Sequence, residues 1–339
     1  MSLRLERVAF IVILGALLLV LPIFLPSYIL HMLILVGMYA YLATAWNILG
    51  GYAGQLSLGH ALFIGSGAYT STLLLRAFKL SPWLGMLGGA IIATSLGLFI
   101  GYLSFRYRIR GPFFALVTLA FAQIFVYVAS NTREVGGASG LMVPLERSSL
   151  LAYQFTEKLP YYYIVLALVA VGLGLTWWLR RSKTGFYFLS IRENEDAAQA
   201  LGINLMKYKL LATAISTSLS ALGGTFYAQY VLFVDPPSVL SPELSLEVII
   251  YSVVGGMGTT FGPLLGAAVL VPVAEVMRAT VGKSGVSGAH LIVYGAFLVT
   301  MMLFFPDGIM GLVRKMSGPR RRAASALSRP VPGKKETTL

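Results

Sequence analysis

Tyr163-Ile164-Val165-Leu166-Ala167-Leu168-Val169-Ala170-Val171-Gly172-Leu173-Gly174-Leu175-Thr176-Trp177-Trp178-Leu179 carries no charged side chain and is closed by Arg180-Arg181. A second run, Leu291–Phe305, is also uncharged. A helix needs roughly 20 apolar residues to cross the hydrocarbon core, and its backbone must satisfy its own polar groups there. A membrane barrel would show alternating segments of about ten residues instead. Continuous runs therefore point to spanning helices. Composition agrees: of 339 residues 57% are hydrophobic and 12% charged, with a mean hydropathy of +0.79, whereas soluble domains carry about 25% charged residues. The expected fold is an all-α polytopic transmembrane bundle of about 8–10 spans, some interrupted by glycine or re-entrant.

Working outward gives ten candidate spans: 8–25, 29–49, 61–78, 82–105, 111–130, 161–179, 210–233, 246–257, 261–278 and 289–305. The eighth is too short to cross unaided, because about 12 residues rise only about 18 Å, so it is expected to be re-entrant or broken. Arg4-Leu5-Glu6-Arg7 before Val8–Leu21 imitates a secretory signal. No small-residue cleavage site follows, and the stretch reads as an uncleaved first span. With the N-terminus cytoplasmic and all ten spans crossing, 19 Lys and Arg fall on inner segments and seven on outer ones. That bias puts both termini inside. The net charge of +13 is then mostly a matter of topology and calls for no nucleic acid. Residues 1–312 are expected to form the membrane domain, with a basic, disordered tail over 313–339. Arg320-Arg321-Arg322 and Lys334-Lys335 could touch anionic lipid, or simply enforce topology.

Two stretches do not read as ordinary helix. They are Gly50-Gly51-Tyr52-Ala53-Gly54-Gln55-Leu56-Ser57-Leu58-Gly59-His60 and Gly255-Gly256-Met257-Gly258-Thr259-Thr260-Phe261-Gly262-Pro263. Each opens on paired glycines between apolar runs, and glycine costs a helix about 1 kcal/mol relative to alanine. Interrupted segments in two halves of a chain point to a transport route. Gly51, Gly54, Gln55, Ser57, Gly59, His60, Gly255, Gly256, Gly258, Thr259 and Gly262 are accordingly candidates for a pathway or hinge. The competing account is close helix packing, which small residues permit.

Ionisable residues inside the spans are few, and Glu275 is taken as the only one well inside. Arg278 three residues on makes it a local ion pair. A proton-coupled carrier would need buried carboxylates or histidines as relays, so the driving energy is expected from elsewhere. The chain has no cysteine and three scattered histidines, His31, His60 and His290, giving no metal site. No catalytic constellation is visible. Gly282-Lys283-Ser284 imitates the end of a nucleotide-binding loop, but Met277 stands where its first glycine belongs.

The inner loop 180–209 holds the sharpest local pattern. Ser190-Ile191-Arg192-Glu193 has the form of a capping box, the acids Glu193, Glu195 and Asp196 suit a helix N-terminus, and Gly202 suits its end. A helix over 191–201 is expected. Asp196-Ala197-Ala198-Gln199-Ala200-Leu201-Gly202 resembles the EAA loop of ABC importer permeases, with aspartate in place of the usual glutamate and without the downstream Leu-Pro. An amphipathic connector is the plainer alternative. Glu195, Asp196, Ala197, Ala198 and Gly202 are the candidate ATPase-coupling residues.

Taken together, Gly50–Ala61, Gly136-Gly137-Ala138-Ser139-Gly140-Leu141, Ile191–Gly202 with Lys209-Leu210-Leu211-Ala212, and Gly255–Ala267 resemble the M-type permease subunit of branched-chain amino acid ABC importers. Their order matches, and the resemblance runs over nearly all of residues 29–312. It implies a type II-like importer fold in a bacterial or archaeal inner membrane. It also implies a sister permease, two ATPase subunits that hold ATP and Mg, and an extracytoplasmic substrate-binding protein. This chain would then bind no cofactor and catalyse nothing itself. Importers of urea, amides and aromatic compounds share the family, which leaves substrate more open than mechanism. A secondary transporter would explain the spans but not the loop.

Overall fold

The computed structural model describes residues 18–145, 153–281 and 308–316, with residues 295, 296, 299 and 303 between them. Among the described residues the chain is all-α apart from one short strand pair. The helices are α1 (Ser27–Asn47), α2 (Ala61–Phe78), α3 (Pro82–Arg106), α4 (Pro112–Asn131), α5 (Leu159–Arg181), α6 (Lys183–Glu193), α7 (Glu195–Ala200), α8 (Leu205–Val231), α9 (Pro242–Gly256), α10 (Gly262–Val281) and α11 (Gly308–Met316).

Five segments among the described residues are long and apolar enough to cross a membrane: Ser27–Tyr52, Pro82–Arg106, Pro112–Asn131, Leu159–Arg181 and Pro236–Gly256. α3 and α4 turn Leu87, Ile91, Phe99, Phe113, Leu116 and Tyr127 outward, each exposed. Such a continuous apolar exterior suits lipid and would be a liability in water. α2, α8 and α10 occupy the places expected for spans 61–78, 210–233 and 261–278. α8 is less hydropathic because it is central and packed through small polar residues. Ser216, Thr217, Ser220 and Thr225 are all fully buried on it, and Ser220 donates back to the Ser216 carbonyl at 2.9 Å. α2, α3 and α8 form one tightly packed group. A Cβ at Gly67 would lie 2.1 Å from the Ala221 carbonyl oxygen, and one at Gly224 1.9 Å from that of Ile64. Missing side chains are what allow these backbones to touch. α1 heads the second group, against α5, α9 and α10.

The two ends of the bundle are distinguished by their loops. At one end β1 (Leu141–Met142) pairs antiparallel with β2 (Phe233–Val234), in the register Leu141↔Val234 and Met142↔Phe233. This joins the loop after α4 to the end of α8. At the other end the α3–α4 loop meets the α6–α8 loop through Arg110. The loops assigned above to outside and inside therefore fall on opposite ends.

Several expectations need correction. Helix over the first span does not run on to 25: Leu21–Phe24 is a 3-10 turn and Leu25 is extended, as Pro22 and Pro26 require. Residues 8–17 of that span, and nearly all of 289–305, lie outside the described residues. α8 starts five residues before Leu210, because Asn204 caps it by accepting from Lys207 N–H at 3.0 Å. The boundary at 312 falls inside α11, which runs to Met316. The tail beyond lies outside the described residues. The eighth segment, 246–257, is neither short nor broken: it lies in the continuous helix α9, which a turn over Pro236–Val239 precedes, and the whole stretch Pro236–Gly256 is long enough to cross. Ser241 caps α9, and Ser245 in its first turns accepts from Ala61 N–H, the first residue of α2, at 2.8 Å. The N-termini of α2 and α9 thus meet inside the bundle.

Candidate functional site

The α6–α8 loop is built from three successive caps. Ser182 accepts from Gly185 N–H at 3.1 Å and starts α6. Asn194, in extended conformation, breaks the chain between α6 and α7 and accepts from Ala197 N–H at 3.0 Å. The expected single helix over 191–201 is therefore two. Ser190 is not a cap; its hydroxyl donates to the Phe186 carbonyl within α6 at 2.9 Å. Asn194 outcompetes it because a side-chain acceptor placed before Glu195-Asp196 suits a new N-terminus. Gly202 is the expected stop. It adopts φ +85°, its N–H donates to Gln199 O at 2.9 Å, and Ile203 N–H donates to Ala198 O at 3.1 Å, which is the Schellman pattern.

α7 presents Asp196, Ala197, Gln199 and Ala200 outward, followed by Leu201, 82% exposed. Ala198 faces the opposite way and is buried, so it seats α7 on its own bundle. Glu195 anchors the helix. Its Oε1 pairs with Lys209 Nζ and accepts from Gln55 Nε2 at 3.2 Å. Its Oε2 lies 3.0 Å from Arg110 Nε, an ionic contact without hydrogen-bond alignment. Asp196 takes the other face of Arg110, at 3.0 Å from Nη1.

Gln55 belongs to the first glycine stretch, and a second tie runs beside it: Arg192 Nη1 donates to the Gly51 carbonyl at 2.7 Å. That carbonyl sits in a π-turn, Ile48–Tyr52, that continues α1. The two glycine stretches also meet each other. Asn47 uses both ends of its amide, accepting from Gly258 N–H at 2.8 Å and donating to Thr259 O at 2.9 Å. The Tyr52 and Thr260 hydroxyls lie 3.3 Å apart. Gly258 is at φ +75°, and a Cβ there would meet Arg192 Nη1 at 2.2 Å. Arg192 therefore touches both breaks, and the α6–α8 loop and both glycine stretches form one hydrogen-bonded unit.

A model of the family described as branched-chain amino acid transport system / permease component matches residues 28–305. The chain belongs to that family. It is 30% identical to the high-affinity branched-chain amino acid transport system permease protein LivM of Escherichia coli (strain K12), over 81% of this chain and 68% of the relative. It is 25% identical to the permease protein LivH of the same kind of system in Salmonella typhimurium, over 80% and 91%. It is 21% identical to the probable branched-chain amino acid transport permease protein LivM of Methanocaldococcus jannaschii, over 83% and 90%. No solved structure matches.

The other expected pathway residues of this multi-pass membrane permease divide between unwinding and packing. Gly54 and Gly256 take positive φ at the breaks. Gly59, Gly255 and Gly262 are close-approach positions, where a Cβ would lie 1.9 Å from Thr118 O, 1.8 Å from Gly262 O and 2.2 Å from Gly256 O. Thr259 closes the second break, donating to Gly256 O at 2.7 Å and accepting from Gly262 N–H at 3.0 Å. Ser57 and His60 are fully buried. His60 Nε2 lies 3.1 Å from Ser216 Oγ on α8. In this conformation both pack inside the bundle and line no opening.

Sequence reasoning missed Arg192 as a tie, reading Ile191-Arg192-Glu193 only as part of a cap. It also passed over Asn47, Asn194, Arg110 and Lys209. Asn194 carried a usable signal, since Asn before two acids and two alanines is a helix start in its own right. Glu247 was passed over too: it sits on α9, inside the expected eighth span, so Glu275 is not the only intramembrane carboxylate.

Proposed function

We propose that this permease is the M-type subunit of an ATP-driven importer that carries branched-chain amino acids inward across the inner membrane of a bacterium or archaeon. It works with a sister permease, two ATPase subunits holding ATP and Mg, and an extracytoplasmic binding protein. The relatives' names support the substrate class, and matches to both M and H proteins support a paired permease. The observation that carries the mechanism is the direct bonding of the α6–α7 corner to the first glycine break through Arg192 and Gln55, a break that Asn47 bonds in turn to the second. In this reading the ATPase pair grips the exposed face of α7 and Leu201. Its closure moves α6 and α7 together, and the Arg192–Gly51 and Glu195–Gln55 bonds pass that displacement to the ends of α1 and α9. Backbone unwound at these breaks can shift without first breaking a regular helix ladder. The binding protein docks on the opposite end, where β1 and β2 hold the two outer loops together.

The test is reconstitution of the complete complex in liposomes. ATP-dependent uptake of leucine, isoleucine and valine is expected, with little uptake of urea or short-chain amides. Preference for urea or amides would move the chain to that branch of the family. ATP-independent uptake driven by an ion gradient would overturn the ABC reading.

A further inference from the structure

We infer that Glu247, walled by Tyr39, Tyr227 and Tyr251, is the station at which the permease receives the α-ammonium group of its substrate. The inference rests on the transport reading above and names the chemistry of one contact along its route.

Glu247 lies on α9, within the segment Pro236–Gly256 that is long and apolar enough to span the membrane. Ionisable groups within such a segment are costly to expose to hydrocarbon, so they face partner protein or water rather than lipid. The Tyr39 hydroxyl, from the middle of α1, lies within interaction range of the Glu247 carboxylate. Among the described residues the ion pairs involve Arg110, Lys209 and Arg278 as cations, and Glu247 is in none of them. The nearest cation on a packed helix, Arg278 on α10, is engaged by Glu275 at 2.6 Å. Glu247 is only half-buried, and Leu246 beside it is 47% exposed. Among the described residues no cation contacts the carboxylate, and its partial exposure leaves it reachable from outside this chain.

Its surroundings suit an ammonium group. The Tyr39 and Tyr251 rings stand edge to face, 5.3 Å between centroids. Tyr227 lies within electrostatic reach of both Glu247 and Asp235. One oxygen of Asp235, Oδ1, is enclosed without a hydrogen-bond partner. Aromatic faces and carboxylates together attract organic cations, whereas a lipid tail or an anion gains nothing here. A zwitterionic amino acid brings one ammonium group, and its apolar side chain tolerates the surrounding tyrosine and leucine.

The experiment compares wild type with Glu247→Gln and Glu247→Asp in the complete reconstituted importer. Glutamine keeps an acceptor for Tyr39 and removes only the charge. Leucine uptake should fall about ten-fold or more in Glu247→Gln and be partly restored in Glu247→Asp, with both complexes assembled at wild-type yield. A second measurement uses Leu246→Cys, since the chain has no native cysteine. Its thiol should react several-fold faster with a positively charged methanethiosulfonate than with a negative one. Glu247→Gln should abolish that preference. The proposal is overturned if Glu247→Gln transports within two-fold of wild type, or if Leu246→Cys shows no charge preference or reacts in no nucleotide state. A wild-type complex that takes up no leucine overturns the transport reading itself, and this proposal with it.

Discussion

At the scale of single residues, function concentrates where one side chain serves two segments. Arg192 is the clearest case, because its guanidinium holds the Gly51 carbonyl and lies against Gly258. A charged hydrogen bond of this kind contributes roughly 1.5–3 kcal/mol. Arg192→Ala should therefore leave the helices in place while uncoupling them. ATP hydrolysis by the complex should persist while leucine uptake per ATP falls several-fold, read by measuring both in the same liposomes. Hydrolysis and uptake falling in parallel would mean that Arg192 merely stabilises the loop. Gly258 supplies the matching test from the other side. Its φ of +75° is strongly disfavoured for a β-branched residue, and a side chain would also displace Arg192. Gly258→Val should lower both expression and uptake, more than Arg192→Ala lowers uptake alone. None of these ties could be seen in the sequence. The glycine stretches announced that the backbone departs from helix, but contacts such as Asn47 with Gly258 and Thr259 span more than 200 positions. Local spacing holds no trace of them.

At the scale of elements, most of the fold was legible because hydrophobic run length alone sets a spanning helix. The expected 61–78 coincides with α2, and 82–105 and 111–130 lie within a residue of α3 and α4. Misplaced ends trace to caps. An apolar run begins at its first apolar residue, whereas the helix begins at its capping side chain, and Asn204 draws α8 back to Leu205. The same error merged α6 and α7, since Asn194 looks like any polar loop residue until its side chain is seen accepting from Ala197 N–H. Asn194→Ala should cost about 1 kcal/mol and loosen α7 without displacing any span. Leu201→Asp should act differently, because Leu201 is 82% exposed and supports nothing within this chain. ATPase co-purification should drop sharply while the permease stays at wild-type level in the membrane. A bulky residue at Ala198 should instead lower the permease level itself, since that position is buried against its own bundle. If Leu201→Asp holds its ATPase fully, the docking face lies elsewhere on the loop.

At the scale of the whole molecule, orientation is the property on which every functional statement above depends. Two independent observations bear on it. The basic residues divide 19 to 7 when both termini are placed inside, and arginine and lysine near span ends resist translocation. The fold adds that the loops placed together by this count do meet. Arg110, between α3 and α4, pairs with Glu195 and Asp196 across the α6–α8 loop. The loops placed on the other side meet as well, where Leu141 pairs with Val234. An inverted chain would keep both contacts but would turn the α7 face away from the proposed ATPase and the paired loops away from the proposed binding protein. Contact geometry therefore groups the loops, and charge decides which group is inside. Reporter fusions after Arg110, Gly140 and Arg320 read this directly. The first and last should report cytoplasm, and the middle one the far side. Inversion of all three would leave the bundle intact but remove the coupling mechanism. A cytoplasmic signal at Gly140 alone would mean that α4 does not cross, despite the apolar exterior formed by Phe113, Leu116 and Tyr127. Moving charge should move the result in proportion. Neutralising Arg180, Arg181 and Lys183 together should weaken retention of the α6–α8 loop, giving mixed signals from a fusion in that loop, whereas neutralising Arg133 and Lys158 on the opposite end should leave the topology unchanged.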